Sequence, residues 1–191
     1  MKRRLPRRVL SVFQNLKLVR GLSLKDPIKL RYEVSLEDQI PILASWLSDP
    51  QILRWFPMVN QLEIEDASKI WIGYFGKTFG SAFTVWEGEQ VVGFFNFYLS
   101  PIQKLRHQTL FSIIVHPEKR GQGIGRQTLQ ELKKRAKNDF GISLLHLEVY
   151  RENPARKLYL EEGFEEYGVH VNFLKEEDGT YRDKILMQQW L

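Results

Sequence analysis

Strand-like and helix-like segments follow one another along this chain in the order βααβββαβαββ, which predicts a mixed α+β domain. Three observations carry that prediction. The β-branched run Ile113-Ile114-Val115 stops at His116-Pro117 and gives way to a basic, glycine-rich loop that opens a helical stretch. Glu87-Gly88-Glu89 lies between two alternating segments, and Asp178-Gly179 lies between two more. Both are hairpin turns, so much of the sheet is antiparallel.

Each element has its own warrant. Ile28 to Val34 alternates as a first strand. Ser35, with Asp38 three residues on, is the expected cap of a helix whose apolar side is Ile40, Leu43, Ala44 and Leu47. After Asp49-Pro50 a second helical region is expected at about 64–74. Ala82 to Trp86 and Gln90 to Tyr98 form the first hairpin, and Leu110 to Val115 is the strand that enters the glycine loop. Leu129, Leu132, Ala136 and Phe140 then recur at helical spacing until Gly141 stops them. In Ser143 to Tyr150, Leu145, Leu147 and Val149 share one strand face, and His146, Glu148 and Tyr150 share the other. Asn153 caps a short helix, Pro154 suits its first turn and Gly163 its exit. Val169 to Leu174 and Tyr181 to Gln188 form the last hairpin.

Composition narrows the function. The chain has 191 residues, 43% of them hydrophobic, enough for one domain with a proper core. There is no cysteine, which excludes disulfides, thiolate metal sites and a cysteine nucleophile, and the four histidines show no metal spacing. No apolar run reaches the roughly 18 residues of a membrane span. Charge is uneven: residues 1 to 25 hold eight Lys/Arg and no acid, leaving 20 basic residues against 23 acidic ones, a net of −3. The division expected is therefore a basic extension, 1–27, and a catalytic-sized domain, 28–191. Val9, Val12, Phe13, Leu16 and Val19 give the extension one helical stripe. It is read three ways: an arm packed on the domain, a surface for anionic lipid or RNA, or a transit-like segment.

The glycine loop points to a ligand. Gly121, Gly123 and Gly125 let backbone approach closely, a helix N-terminus favours negative charge, and Arg120 and Arg126 add cations. The loop asks for a phosphate or pyrophosphate. A Walker loop is excluded because Gly125 is followed by Arg126-Gln127, and a dinucleotide fingerprint because position 126 is arginine. What remains is Arg-x-x-Gly-x-Gly over Arg120 to Gly125.

That loop, followed by Asn153, Ala155, Leu158-Tyr159 and Gly163-Phe164 in order, resembles the GNAT N-acetyltransferase superfamily. The resemblance covers roughly residues 28 to 191 and is weakest before Ala82. It implies a mostly antiparallel sheet with helices on both faces and acetyl-CoA as cofactor, with CoA as product. It further implies that Arg120, Gly121, Gln122, Gly123, Ile124, Gly125 and Arg126 hold the pyrophosphate. The backbone of Ile113, Ile114 and Val115 is implied to hold the pantetheine arm and acetyl group. Asn153 is the implied further CoA contact, although it lies six residues before Tyr159, one fewer than the commonest spacing, so its role as a cap stands equally.

Acetyl transfer to an amine has three demands. An alkylammonium of pKa near 10 must lose a proton, an oxyanion needs a backbone donor, and a departing thiolate benefits from an acid. The resemblance makes Tyr159 that acid. The segment Leu147-Glu148-Val149 resembles that of ribosomal-protein N-acetyltransferases and makes Glu148 the base, with His146 on the same face as its substitute. The acceptor is expected to be a primary amine: a protein N-terminus, a polyamine or a small amine. Glu63, Glu65 and Asp66 are acids placed to attract it by charge. A cytoplasmic enzyme is expected, with homodimerisation left open. The alternatives are an inactive CoA-binding sensor or scaffold and an anion-binding protein that works through its basic arm.

Overall fold

The computed structural model describes residues 28–72 and 82–191. The basic extension, 1–27, lies outside the described residues, as do the last two positions of the helical region expected at 64–74. Seven strands form one sheet in the order β1-β2-β3-β4-β5-β7-β6. They are β1 (Leu30–Val34), β2 (Ala82–Glu87), β3 (Gln90–Leu99), β4 (Gln108–Val115), β5 (Leu144–Tyr150), β6 (Glu165–Lys175) and β7 (Tyr181–Trp190). Every neighbouring pair is antiparallel except β4 and β5.

Helices α1 (Ile40–Leu47), α2 (Pro50–Leu53) and α3 (Gln61–Lys69) lie between β1 and β2. Helix α4 (Ile124–Asn138) follows the glycine loop, and α5 (Ala155–Glu161) joins β5 to β6. The two sheet faces bury separate cores. Phe83, Phe95, Phe97, Phe111, Leu145 and Ile185 pack against Leu129, Leu132 and Ala136 of α4. Phe94 and Ile114 face the other way, against Leu43, Trp46, Ile52 and Ile64 of α1 to α3. Past Gly93, alternation along β3, and along β4, sends odd residues to one helical layer and even residues to the other. Each fully buried Phe or Leu contributes about 1.5–3 kcal/mol, so both layers are firmly held.

Local chemistry departs from expectation at several points. Ser35 does not cap a helix: its hydroxyl is 2.8 Å from Thr84 Oγ1, bonding β1's exit to β2. The turn is closed instead by Gln39 Oε1, which accepts from the Leu36 N–H at 3.1 Å. Asp49 accepts from the Gln51 N–H at 2.8 Å and starts α2, a four-residue helix too short for periodicity to announce. Helix α3 begins at Gln61, earlier than expected, because Asn60 accepts from the Glu63 N–H at 3.0 Å. Gly93 is required by a close approach, since a Cβ there would stand 2.9 Å from the Ile114 carbonyl oxygen.

Candidate active site

Strands β4 and β5 pair over three rungs only: Gln108 with Leu144, Thr109 with Leu145 and Leu110 with His146. Beyond them the two strands run on with no ladder between them. Which backbone groups face that gap follows from register. The His116 N–H donates to the Val92 carbonyl at 3.0 Å, and Leu144 donates to the His107 carbonyl on the other side. Alternation then turns Ile114 and Ser112 toward β3, and Phe111, Ile113 and Val115 toward β5. Of the three residues expected to present backbone to a ligand, Ile113 and Val115 turn their backbone groups toward the gap, while Ile114's groups are committed to Phe94. The Val115 carbonyl accepts from Arg120 Nε at 3.2 Å.

Past β4, a 3₁₀ turn over Pro117–Lys119 delivers the chain to the glycine loop. Gly121 (φ +73°) and Gly123 (φ +86°) occupy the left-handed region, and a Cβ on either would meet nothing within 4 Å. Gly123 is the N-cap of α4, and no side chain caps this helix. The first bond of the helix is Gln127 N–H to the Gly123 carbonyl. The N–H groups of Ile124, Gly125 and Arg126 therefore have no partner within the helix, at the end where its dipole is positive. An anion fits these donors. Gly125 serves packing, since its Cβ would contact Leu158 of α5 at 3.4 Å.

The side chains of the loop are less committed to an anion than the sequence suggests. Gln122 Nε2 donates to the Glu118 carbonyl at 2.9 Å. Arg126 is turned away: its guanidinium bonds Glu162 at 2.6 Å and Glu161 at 2.5 Å, both at the end of α5. Lys133 joins them at 3.1 Å from Glu162, which pulls that carboxyl below its ordinary range against the opposing effect of burial. The structure makes Arg126 a clamp between α4 and α5, with its backbone N–H as its share of the loop. Asn153 likewise caps: its Oδ1 accepts from the Ala155 N–H at 2.9 Å.

Tyr159 comes from α5 into the layer below the gap. Only 7% exposed, it sits edge-on to Phe111 and Phe164, with ring centroids 6.3 and 5.9 Å away. Phe111 is the first β4 residue past the last paired rung. Burial raises the Tyr159 hydroxyl far above an ordinary phenol, so it holds its proton throughout the working pH range. No hydrogen bond engages that hydroxyl among the described residues.

Glu148 projects from the opposite face of β5. Its Oε2 lies 2.5 Å from Lys184 Nζ, on β7, with side-chain exposures of 41% and 14%. His146, two residues earlier on that face, is held below its usual value by burial, while Glu148 acts the other way. Tyr150 completes the row under the Arg182 guanidinium, 4.4 Å from the ring centroid. Arg182 also lies 5.1 Å from the Trp55 ring and donates to the Arg54 carbonyl at 2.6 Å. It thereby ties the segment after α2 to the edge of this face. Glu63, one of the acids expected to attract an acceptor, is spent on its own helix start, accepting from Val59 and Asn60. Among the described residues no cluster of His, Asp or Glu is arranged to hold a metal ion.

Residues 43–164 match the acetyltransferase (GNAT) family. The chain belongs to that family. Members of the GNAT family use acetyl-CoA, and the anion-ready loop and splayed strands are the parts that fit it here. The chain is 33% identical over 87 residues to the [ribosomal protein bS18]-alanine N-acetyltransferase of Haemophilus influenzae. That stretch is 46% of this chain and 59% of the relative, so the match spans less than two thirds of the relative's length. Two solved structures share the GNAT fold. A Brucella melitensis ribosomal-protein-alanine N-acetyltransferase superposes with a TM-score of 0.69 at 23% identity, over 84% of this chain and 99% of that one. A Vibrio cholerae spermidine N-acetyltransferase in complex with CoA and spermine gives 0.70 at 22%, over 84% and 95%.

Three members of the site escaped the sequence reading. Lys184, Arg182 and Trp55 lie far from Glu148 along the chain, and only the β5–β7 register and the cation–aromatic contacts bring them together. The alternation of Tyr181 to Gln188 marks that strand but does not say which rung faces Glu148.

Proposed function

We propose that this protein transfers the acetyl group of acetyl-CoA to a primary amine in a single ternary complex. The amine is a protein N-terminus, a polyamine or a small amine. One arrangement supports the reading: the buried, protonated Tyr159 packs beside Phe111 on one side of the sheet where β4 and β5 part, and the Glu148 carboxylate stands on the other side. Acetyl-CoA supplies an activated acetyl thioester. The N–H groups of Gly121 to Arg126 and the Arg120 cation would hold its pyrophosphate, and Ile113 and Val115 would hold its pantetheine arm and carbonyl through backbone. Glu148 accepts the ammonium proton, which frees the amine lone pair for attack. Attack forms the C–N bond; as the C–S bond breaks, the nitrogen sheds its second proton to water, and Tyr159 gives its proton to the departing thiolate and is reprotonated from water. A preorganised oxyanion donor typically contributes about 10²–10³ in rate, and a positioned acid about 10²–10⁴.

The pairing of Glu148 with Lys184 favours one other reading, a CoA-binding sensor whose base is permanently occupied. A panel of peptide N-termini, polyamines and simple amines, assayed for thiol release from acetyl-CoA, separates the two. Amine-dependent thiol release matched by acetylated product supports the transferase. Tight CoA binding with no amine-dependent release across the panel supports the sensor.

A further inference from the structure

The face of β5 and β7 that carries Glu148 already holds one alkylammonium, and it belongs to the protein. Lys184 Nζ lies 2.5 Å from Glu148 Oε2 and 3.3 Å from the centroid of the Phe173 ring, on β6. The lysine is only 14% exposed, whereas the carboxylate it engages is 41% exposed and open to an incoming group. A carboxylate on one side and an aromatic face on the other are what a primary ammonium ion needs when it leaves water. Lys184 reaches this position because β7 sets it opposite Tyr150, two rungs from Glu148 and on the same face, and β6 sets His170 opposite it.

The geometry points to Glu148 and Phe173 as the two walls of the acceptor-ammonium subsite, with Lys184 holding that subsite until an acceptor displaces it. This rests on the reading of Glu148 as the acceptor-facing carboxylate. The ligand class is a primary alkylammonium on an unbranched carbon, the group that Lys184 itself presents. Acceptors of this class compete with Lys184 for the same carboxylate, so the residue sets acceptor affinity and leaves acetyl-CoA affinity alone.

Steady-state kinetics of the full chain test this with the best amine of the panel and saturating acetyl-CoA. K184M removes the competing cation and keeps the side-chain volume, and the acceptor KM should fall about two- to fivefold, the range that half-exposed ion pairs span. K184R strengthens the hold, because a guanidinium bonds a carboxylate through two parallel N–H groups, so the acceptor KM should rise. F173L should raise the acceptor KM a fewfold through loss of the ring face. In all three the acetyl-CoA KM should stay at its wild-type value. An acceptor KM that is unchanged or raised in K184M overturns the inference. Should K184M fail to fold, K184R decides, and an acceptor KM at or below wild type overturns it. A wild-type protein inert on every amine overturns the transferase reading and the subsite with it. An active wild type whose KM ignores Lys184 overturns the subsite alone.

Discussion

Tyr159 and Glu148 occupy opposite faces of one strand gap, and their surroundings dictate different behaviour. Burial against Phe111 and Phe164 keeps the Tyr159 hydroxyl protonated, whereas Glu148 stays half-exposed beside a lysine. Tyr159→Phe removes one oxygen and keeps the aromatic packing. CoA affinity should hold while turnover on a good amine falls about 10²–10⁴-fold, read by initial rates and calorimetry. Turnover within twofold of wild type would make Tyr159 a packing residue. Glu148→Gln should cost most below the acceptor's pKa and recover partly as pH rises, because a base matters only while the amine is protonated. A loss independent of pH would assign Glu148 to positioning. In sequence, both residues are singled out as candidates by their motifs. The ion pair that occupies Glu148 is not, since it spans 36 residues and depends on cross-strand register.

The elements divide the labour between ligand and scaffold. The glycine loop and the α4 N-terminus offer backbone, and the side chains around them mostly serve the fold. Gly123→Val places a β-branched side chain at φ +86°, a strained conformation, and aims its Cβ into the open space before the helix. CoA affinity should weaken by more than about tenfold, equivalent to 1.4 kcal/mol. Undiminished binding in calorimetry would remove the pyrophosphate from this loop. Arg126→Ala separates the two roles of that residue. Because its guanidinium is bound to Glu161 and Glu162, the variant should lose some thermal stability and keep its CoA affinity. A large loss of CoA affinity with unchanged melting would return the guanidinium to the ligand. Strand and helix order followed from periodicity and turn residues. Helix α2 was missed because four residues carry no period, and the start of β6 because Glu165-Glu166-Tyr167-Gly168 breaks alternation at a bulge.

For the molecule as a whole, the sheet makes the site by failing to close. Among the described residues six strand pairs form the sheet, and the one parallel pair among them parts after three rungs. That parting leaves Tyr159 in the helical layer on one side of the sheet and Glu148 on the other. No described helix is long and apolar enough to cross a membrane. The basic extension adds eight positive charges and no motif residue. Its deletion should leave turnover on a small amine intact and abolish any binding to anionic vesicles or RNA, a binding that should also weaken steeply with salt. Failure of the shortened chain to fold would instead put the Val9 to Val19 stripe into the core. Proposed direct transfer between two bound ligands, by a chain with no cysteine to carry an acyl group, is decided by an initial-rate grid of acetyl-CoA against the best amine. Direct transfer gives double-reciprocal lines that intersect, with thiol released only when amine is present; parallel lines, or thiol release that ignores the amine, would rule it out.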